Sequence, residues 1–283
     1  HPTVAPAAPP AASQPASAEH HPATVLFISH DANRHGAQLL LLHFLSWLRA
    51  NSDLRFEVLL KADGELRPDF EALAPVTLWN NGAELEALRE RYACVELIYS
   101  NTITNGALLA ALARPGTAVL CHVHELEYWI VHRTEPQNNQ YVRQHTSRYI
   151  AVSQAVRAVL IEQLHVPEQQ IDVVYEFIPT KLDLARQAQT AEHIRSKLRI
   201  PANALIVGAS GTTDWRKGPD LFIQLARAVQ HYDVGAPVHF VWVGGDNQGS
   251  AFSTLQYDIA HAGLSTCMHF VGALPNALDY FAL

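Results

Sequence analysis

Apolar and polar positions along the chain fall into a repeated pair: a short, continuously apolar run, then a longer segment with apolar residues at helical spacing. Thr24–Ser29 (TVLFIS) has the composition of a strand buried on both faces of a parallel sheet. The pattern then predicts a strongly apolar helix over Gln38–Ala50, a strand Arg55–Leu60, a short helix near Leu66–Leu73, a strand Pro75–Trp79 and a helix Glu84–Tyr92. A strand Val95–Tyr99 and a helix Thr104–Ala113 follow, the helix stopped by Pro115-Gly116. Next come a strand Thr117–Cys121, a polar helical stretch Asn138–His145, a strand Tyr149–Val152, a helix Gln154–Leu164 with Ser153 as its N-cap, and a strand Ile171–Tyr175. Phe177 to about Arg199 is polar, broken by Pro179 and then helical, and reads as a connection, after which the alternation resumes: strand Leu205–Ala209, helix Pro219–Gln230, strand Val238–Val243, helix Phe252–His261, strand Met268–Val271.

Strand–helix alternation of this length defines an α/β protein with doubly wound parallel sheets. Two domains are expected, residues 23–178 and 201–283, joined by a linker over 179–200, with the second domain incomplete at three strands. Residues 1–22 are rich in Ala, Pro and Ser and cannot bury enough surface to offset their ordering entropy, so a disordered tail is expected there. Open parallel sheets bind ligands in the loops beyond their strand C-termini. The polar loops Ser29–Ala37, Ser100–Asn105 and His122–Glu125 should all lie on that rim.

Composition narrows the function. The chain of 283 residues is 48% hydrophobic, enough for a sizeable core, and its net charge of -7 argues against a nucleic-acid partner. Three widely spaced cysteines suit reduced thiols rather than a disulfide frame. No apolar run is long enough to span a bilayer, and no signal sequence is recognisable. The first residue is His1, so a native start is not expected there.

The candidate chemistry centres on Leu205 to Gly218, LIVGASGTTDWRKG. A strand enters a loop of small residues, two cations follow, and Pro219 opens a helix. Glycines allow a close approach of phosphate oxygens, helix N-termini favour anions, and a guanidinium beside an ammonium counters a diphosphate. A tight strand-to-helix turn with two solvated cations is the competing reading. The segment is not a P-loop, because Gly218 rather than Ser or Thr follows Lys217, and it does not complete a dinucleotide fingerprint.

The ordered set ISHD…GAQ, SNT, HVHE, IAVSQAVR, GASGTTDWRKGPDLF, FVWVGG and HFVGALPNALDYF resembles the retaining GT-B glycosyltransferases of family 4, from about Thr24 to the C-terminal end. The resemblance implies two Rossmann-like domains facing across a cleft, with the acceptor on the first and a nucleotide sugar on the second. It implies transfer of a hexosyl group to a glycan or lipid-linked acceptor, with retention and without metal or cofactor, in cell-surface polysaccharide synthesis. The resemblance implies a catalytic set of His124, Arg216 and Lys217: His124 matches the histidine that positions and polarises a sugar hydroxyl, Lys217 matches the lysine on the donor diphosphate, and Arg216 lies beside it and could share that task. Gly36, Ala37, Ser210, Gly211, Gly244, Gly245 and Gly272 match donor-binding loops. Thr212 stands where the family often has a further arginine. The family's later pair of glutamates and its C-terminal helix have no counterpart before Leu283, so a fragment inactive by itself is expected. A cytoplasmic location follows from the resemblance, with the inner face of the membrane open to it.

Other readings stay open. A non-catalytic nucleotide- or glycan-binding module shares these loops. His122, His124 and Glu125 have metal-ligand chemistry, which leaves a metal-dependent hydrolase possible, although spacing indicates no third ligand. His30, Asp31 and His35 either line the site or decorate a solvated loop. Trp215 either stacks on a ligand or packs the turn, and Glu176 either faces the site or is a surface carboxylate. The Leu39–Leu45 segment is core, with a membrane-facing patch as the minority reading.

Overall fold

The computed structural model describes residues 24–79, 85–177 and 184–283. The tail read over 1–22, Glu84, and residues 179–183 of the linker lie outside them. The chain divides into two compact units between Ile178 and Pro179.

The described residues of the first unit form seven strands: β1 (Thr24–Ser29), β2 (Arg55–Leu60), β3 (Val76–Leu78), β4 (Leu97–Asn101), β5 (Ala118–Val123), β6 (Arg148–Ala151) and β7 (Ile171–Val173). They form one parallel sheet in the order β3-β2-β1-β4-β5-β6-β7. All seven strands were legible in the apolar pattern, and β1 and β2 keep their expected limits. Val25 and Phe27 of β1 pack on one face, and Leu26 and Ile28 on the other. Burial on both sides is why the strand reads as an unbroken apolar run.

Among the described residues, seven helices cover the sheet: α1 (Gly36–Asn51), α2 (Arg67–Glu71), α3 (Leu85–Arg91), α4 (Gly106–Leu112), α5 (Glu127–His132), α6 (Pro136–His145) and α7 (Gln154–Glu162). Leu41 and Leu45 of α1 meet Phe27, Val58 and Tyr99 on one face. Leu88, Leu109, Val142 and Leu160 meet Leu26, Ile98 and Val119 on the other. Core packing is therefore the role of the buried Leu40, Leu41 and Leu45, while Trp47 on the same helix is 56% exposed. Ser153 accepts a hydrogen bond from the Val156 amide at 3.2 Å and caps α7. The strand order reverses at β1, which has β2 on one side and β4 on the other. This is the switch point where such sheets open a crevice.

The second unit contains α8 (Leu184–Leu198), β8 (Leu205–Ser210), α9 (Pro219–Val229), β9 (Val238–Val243), α10 (Ser250–His261) and β10 (Met268–Phe270). Its parallel sheet has the order β10-β9-β8. Phe222, Ile223, Phe240, Trp242, Leu255 and Ile259 form one core layer. Ile194, Ile200, Val241, Val243 and Tyr280 form the other.

Two sequence readings change here. The stretch read as a linker contains α8, and Ile194 places that helix in the second unit's core. Arg195 adds hydrogen bonds to the carbonyls of Pro201 (3.1 Å) and Leu283 (2.9 Å). The strand predicted over Leu205–Ala209 runs one residue further, through Ser210, with Gly208 opposite Val241.

Candidate functional site

The first unit gathers polar side chains where β1, β4 and β5 end. His124 follows β5 directly. Its Nδ1 is 2.9 Å from Glu176 Oε1, and its Nε2 is 3.1 Å from Asn101 Oδ1. Asn101 ends β4, is fully buried, and donates through Nδ2 to the Ala37 carbonyl at 3.0 Å. One chain of contacts thus joins the start of α1, the end of β4, the end of β5 and the segment after β7. Gly36, Ala37 and His124, assigned separately from sequence, belong to one neighbourhood. A Cβ placed on Gly36 would meet nothing within 4 Å, so the surface beside it is open. Glu176 is the ring's partner, not an isolated surface carboxylate.

Burial and close partners shift the titration of the surrounding groups. Glu125 is half-buried and accepts from the amides of His124 (3.1 Å) and Ile103 (3.4 Å). Burial raises its carboxyl against the opposing pull of His124 and these amides. Burial lowers the His30 imidazole, although Asp31 opposes the change. Burial alone would raise Asp31, but hydrogen bonds from the Asn33 amide and the side chains of Asn33 and Gln38, together with His30, hold it low. Burial also lowers the Lys61 ammonium, which donates to the Thr104 carbonyl at 3.1 Å. His30 and Asp31 therefore line this rim, and Asp31 also closes the turn before α1.

His122 packs its ring against His124, centroids 4.2 Å apart, and its Nδ1 is 2.5 Å from the Tyr99 hydroxyl. Burial, reinforced by His124, holds its imidazole down at about 3, with Glu176 opposing. Both histidines are on the same side of the strand end. Among the described residues, no group of three or more His, Cys, Asp and Glu is placed to hold a metal ion. Beside His122 lies an apolar pocket of about 300 Å³ against α1, walled by Phe27, Leu41, Phe44, Leu120 and Ile150, with Asn101 and Glu176 at its polar side.

A pH dependence follows from His122. An imidazole that titrates near 6.5 when unfolded and near 3 when folded takes up its proton preferentially on unfolding. Its contribution is whole above pH 6.5 and is lost as pH falls toward 3, by at most about 1.4 kcal/mol per pH unit. Between pH 6 and 4 the thermal midpoint of wild type is expected to fall more steeply than that of His122→Asn. Parallel curves would show that His122 is not the group responsible.

The second unit gathers its loops the same way. Gly244 bridges Gly272, with its amide on the Gly272 carbonyl at 2.8 Å, and the Ala273 amide donates to the Gly245 carbonyl at 3.0 Å. These glycines are required by packing. Gly244, Gly245 and Gly272 have φ of 112°, 86° and 78°. A Cβ would come within 2.5 Å of the Gly211 carbonyl oxygen at Gly244, 2.5 Å of Thr213 at Gly245 and 2.3 Å of Asn247 at Gly272. Gly211, at φ 145°, carries the stem of Lys217: a Cβ there would sit 3.1 Å from Lys217 Cγ and Cδ.

The two cations differ. Arg216 folds back on Asp214, which accepts its amide at 3.0 Å and its Nε at 3.3 Å. Burial would raise Asp214, but hydrogen bonds from Thr212 and Arg216 hold it low. Among the described residues, Lys217 has no carboxylate within ion-pair distance. The backbone of the small-residue loop is partly committed. The Gly211 amide is engaged by the Val243 carbonyl at 2.9 Å, and Gly208 belongs to the strand. Ser210, the last residue of β8, is exposed beside them. Trp215 is 71% exposed, so it does not fill the turn beneath it.

Known proteins share this architecture. Residues 62–182 match the model of Glycosyltransferase Family 4. No curated protein sequence matches the chain. Among solved structures, Anabaena Alr3699/HepE in complex with UDP-glucose is 21% identical, covers 91% of this chain over 71% of its own, and superposes with a TM-score of 0.73. A glycosyltransferase from Rickettsia africae is 14% identical over 93% of this chain and 71% of its own, with a TM-score of 0.72. Sucrose-phosphate synthase from Thermosynechococcus elongatus is 16% identical over 92% and 73%, with a TM-score of 0.62. The fold is thus of the GT-B type, two doubly wound α/β units.

All three cysteines are free thiols. Among the described residues no helix is long and apolar enough to cross a membrane.

Proposed function

We propose that the chain takes part in glycosyl transfer from a nucleotide-diphosphate sugar to a glycan or lipid-linked acceptor, with retention of configuration, in cell-surface polysaccharide synthesis in the cytoplasm. The observation that carries the reading is Lys217 laid across Gly211 at the C-terminal edge of the second unit's sheet, next to the Gly244–Gly272 loops. An ammonium so placed counters the charge that builds on a departing nucleoside diphosphate, the largest electrostatic demand of the reaction. With Arg216 released from Asp214 as a second cation, no metal ion is needed for that task. His124, on the first unit, positions and polarises a sugar hydroxyl. The apolar pocket beside His122 supports the lipid-linked alternative for the acceptor and a place at the inner face of the membrane. UDP-glucose is the first donor to test, because the Anabaena neighbour is in complex with it.

Binding to the folded state alone raises stability by about 2.7 kcal/mol at a ligand concentration 100 times Kd. UDP-glucose is therefore expected to raise the thermal midpoint in a saturable way, UDP to do so more weakly, and uridine not at all. Failure of every nucleotide sugar to move the midpoint would remove the proposal.

A further inference from the structure

We infer that Lys61 is a binding residue for an anionic group, phosphate or carboxylate, carried by the acceptor. Calling the ligand an acceptor rests on the proposed glycosyl transfer, whereas the anion site itself stands on the geometry of the first unit. Lys61 follows β2 directly. Its amide donates to the Ser29 carbonyl at 2.9 Å, which carries the β1–β2 pairing one residue past the strand ends. Lys61 therefore stands beside His30 at the switch point, on the same rim as Asn101 and His124. The loops that carry Lys61 and His30 are clamped together. A Cβ on Gly64 would fall 2.3 Å from the Ala32 carbonyl carbon, and the Leu66 amide donates to the Ala32 carbonyl at 2.8 Å.

The half-buried ammonium of Lys61 lacks a close counter-ion. Burial lowers it, and Glu135 at the start of α6 opposes the change. Yet among the described residues no carboxylate lies within ion-pair distance of it. Asp31, on the neighbouring loop, is taken up by Asn33 and Gln38. The Thr104 carbonyl, at 3.1 Å, uses one of three ammonium hydrogens and brings no full charge. Cations withdrawn from water are ordinarily paired, because burial without a partner costs free energy. A ligand anion supplies that partner.

His30 adds a second donor. Gln38 is fully buried, and its Nε2 meets both Asp31 Oδ1 and His30 Nε2, the latter at 3.1 Å. An amide nitrogen only donates, so His30 Nε2 accepts and the hydrogen of the neutral ring sits on Nδ1. That nitrogen is buried and has no partner among the described residues. Burial lowers the His30 imidazole, so the positive charge at this point belongs to Lys61 and His30 is a neutral donor. An ammonium and a ring N–H suit two oxygens of one phosphate or carboxylate. The two acceptor classes differ in this group: a lipid-linked acceptor carries phosphate, an acidic glycan carboxylate.

The test is carbon-13 NMR of the full chain labelled at lysine Cε, in which four lysines give four signals. The Lys61 signal is identified by its loss in Lys61→Gln, and exposed Lys197 reports general ion effects. Glucose 6-phosphate and glucuronate serve as phosphate and carboxylate probes at constant ionic strength, with glucose as the neutral control. The Lys61 signal is expected to shift saturably with an anionic sugar, further than that of Lys197, and not with glucose. A response to glucose 6-phosphate alone assigns the site to phosphate, and one to glucuronate alone to carboxylate. His30→Phe, with folding confirmed by circular dichroism, is expected to raise the midpoint of the Lys61 titration roughly two- to tenfold. An unchanged midpoint overturns the part given to His30. A Lys61 signal unmoved by both anions, or moved equally by glucose, overturns the inference, as does a response confined to Lys217. UDP-glucose binding plays no part in this readout, so failure here is distinct from failure of the proposed function.

Discussion

Trp242→Ala is expected to cost about 3–5 kcal/mol, the usual range for deleting a large buried aromatic. Trp242 is 2% exposed in the middle strand of the second unit's sheet. It stacks on Phe270 with centroids 5.6 Å apart and meets Phe222 edge-on at 5.4 Å. Its Nε1 donates to the Gly211 carbonyl at 3.0 Å, so truncation also strips a partner from the loop that carries Lys217. Set against a typical stability of 5–15 kcal/mol, such a loss leaves the second unit partly unfolded at moderate denaturant. Urea unfolding followed by circular dichroism checks this, with Tyr232→Ala as the control. Tyr232 is 72% exposed, and its truncation should stay within about 0.5 kcal/mol. Equal midpoints for the two variants would show that Trp242 is not a core residue.

The sheet could be read from the chain because strands buried on both faces leave an unbroken apolar record. Val25 to Ile28 and Phe240 to Val243 are such runs, and both fall where expected. Boundaries failed where local preference and tertiary pairing disagreed. The strand read as ending at Ala209 continues to Ser210, a small residue of low strand preference, because pairing with β9 extends through it. The start of α6 was placed at Asn138, although Pro136 supplies the proline that favours a first helical turn. α5 was not separated from the polar stretch at all.

The candidate site was legible as a set of loops but not as a set of contacts. His124 and Glu176 are 52 positions apart, and His124 and Asn101 are 23 apart. Strand order puts all three on one rim, but the direction of each side chain depends on packing that no spacing rule encodes. Asn101 was seen only as part of a polar loop, and its double contact to Ala37 and His124 emerges from the fold. Lys61 and Tyr99 gave no sequence signal, since a lysine after a strand and a tyrosine within one are commonplace. In the second unit the paired cations looked equivalent. The carboxylate that separates them, Asp214, is part of the same short turn, and its preference for Arg216 is geometric.

That difference sets the last expectation. Lys217→Ala should weaken UDP and UDP-glucose binding roughly 10- to 100-fold, as expected for losing about 1.5–3 kcal/mol of hydrogen bonding to a charged group. Arg216→Ala should weaken it less. Arg216 must leave Asp214 before it can meet a phosphate, so part of what it gains from the ligand is offset by what it gives up. Lys217 faces no such exchange among the described residues, and its stem is already seated over Gly211. Gly211→Ala supplies an independent check, because a methyl 3.1 Å from that stem, on a backbone at φ 145°, must push the Lys217 stem aside by a few tenths of an ångström without changing its charge. Titration calorimetry at fixed salt, with circular dichroism to confirm folding, measures all three. The predicted order of loss is Lys217→Ala first, then Gly211→Ala, then Arg216→Ala. If Arg216→Ala proves the most damaging, the diphosphate contacts the guanidinium and the role given to Lys217 is wrong. If all three bind as wild type does, the nucleotide lies elsewhere and the small-residue turn before α9 is only a turn.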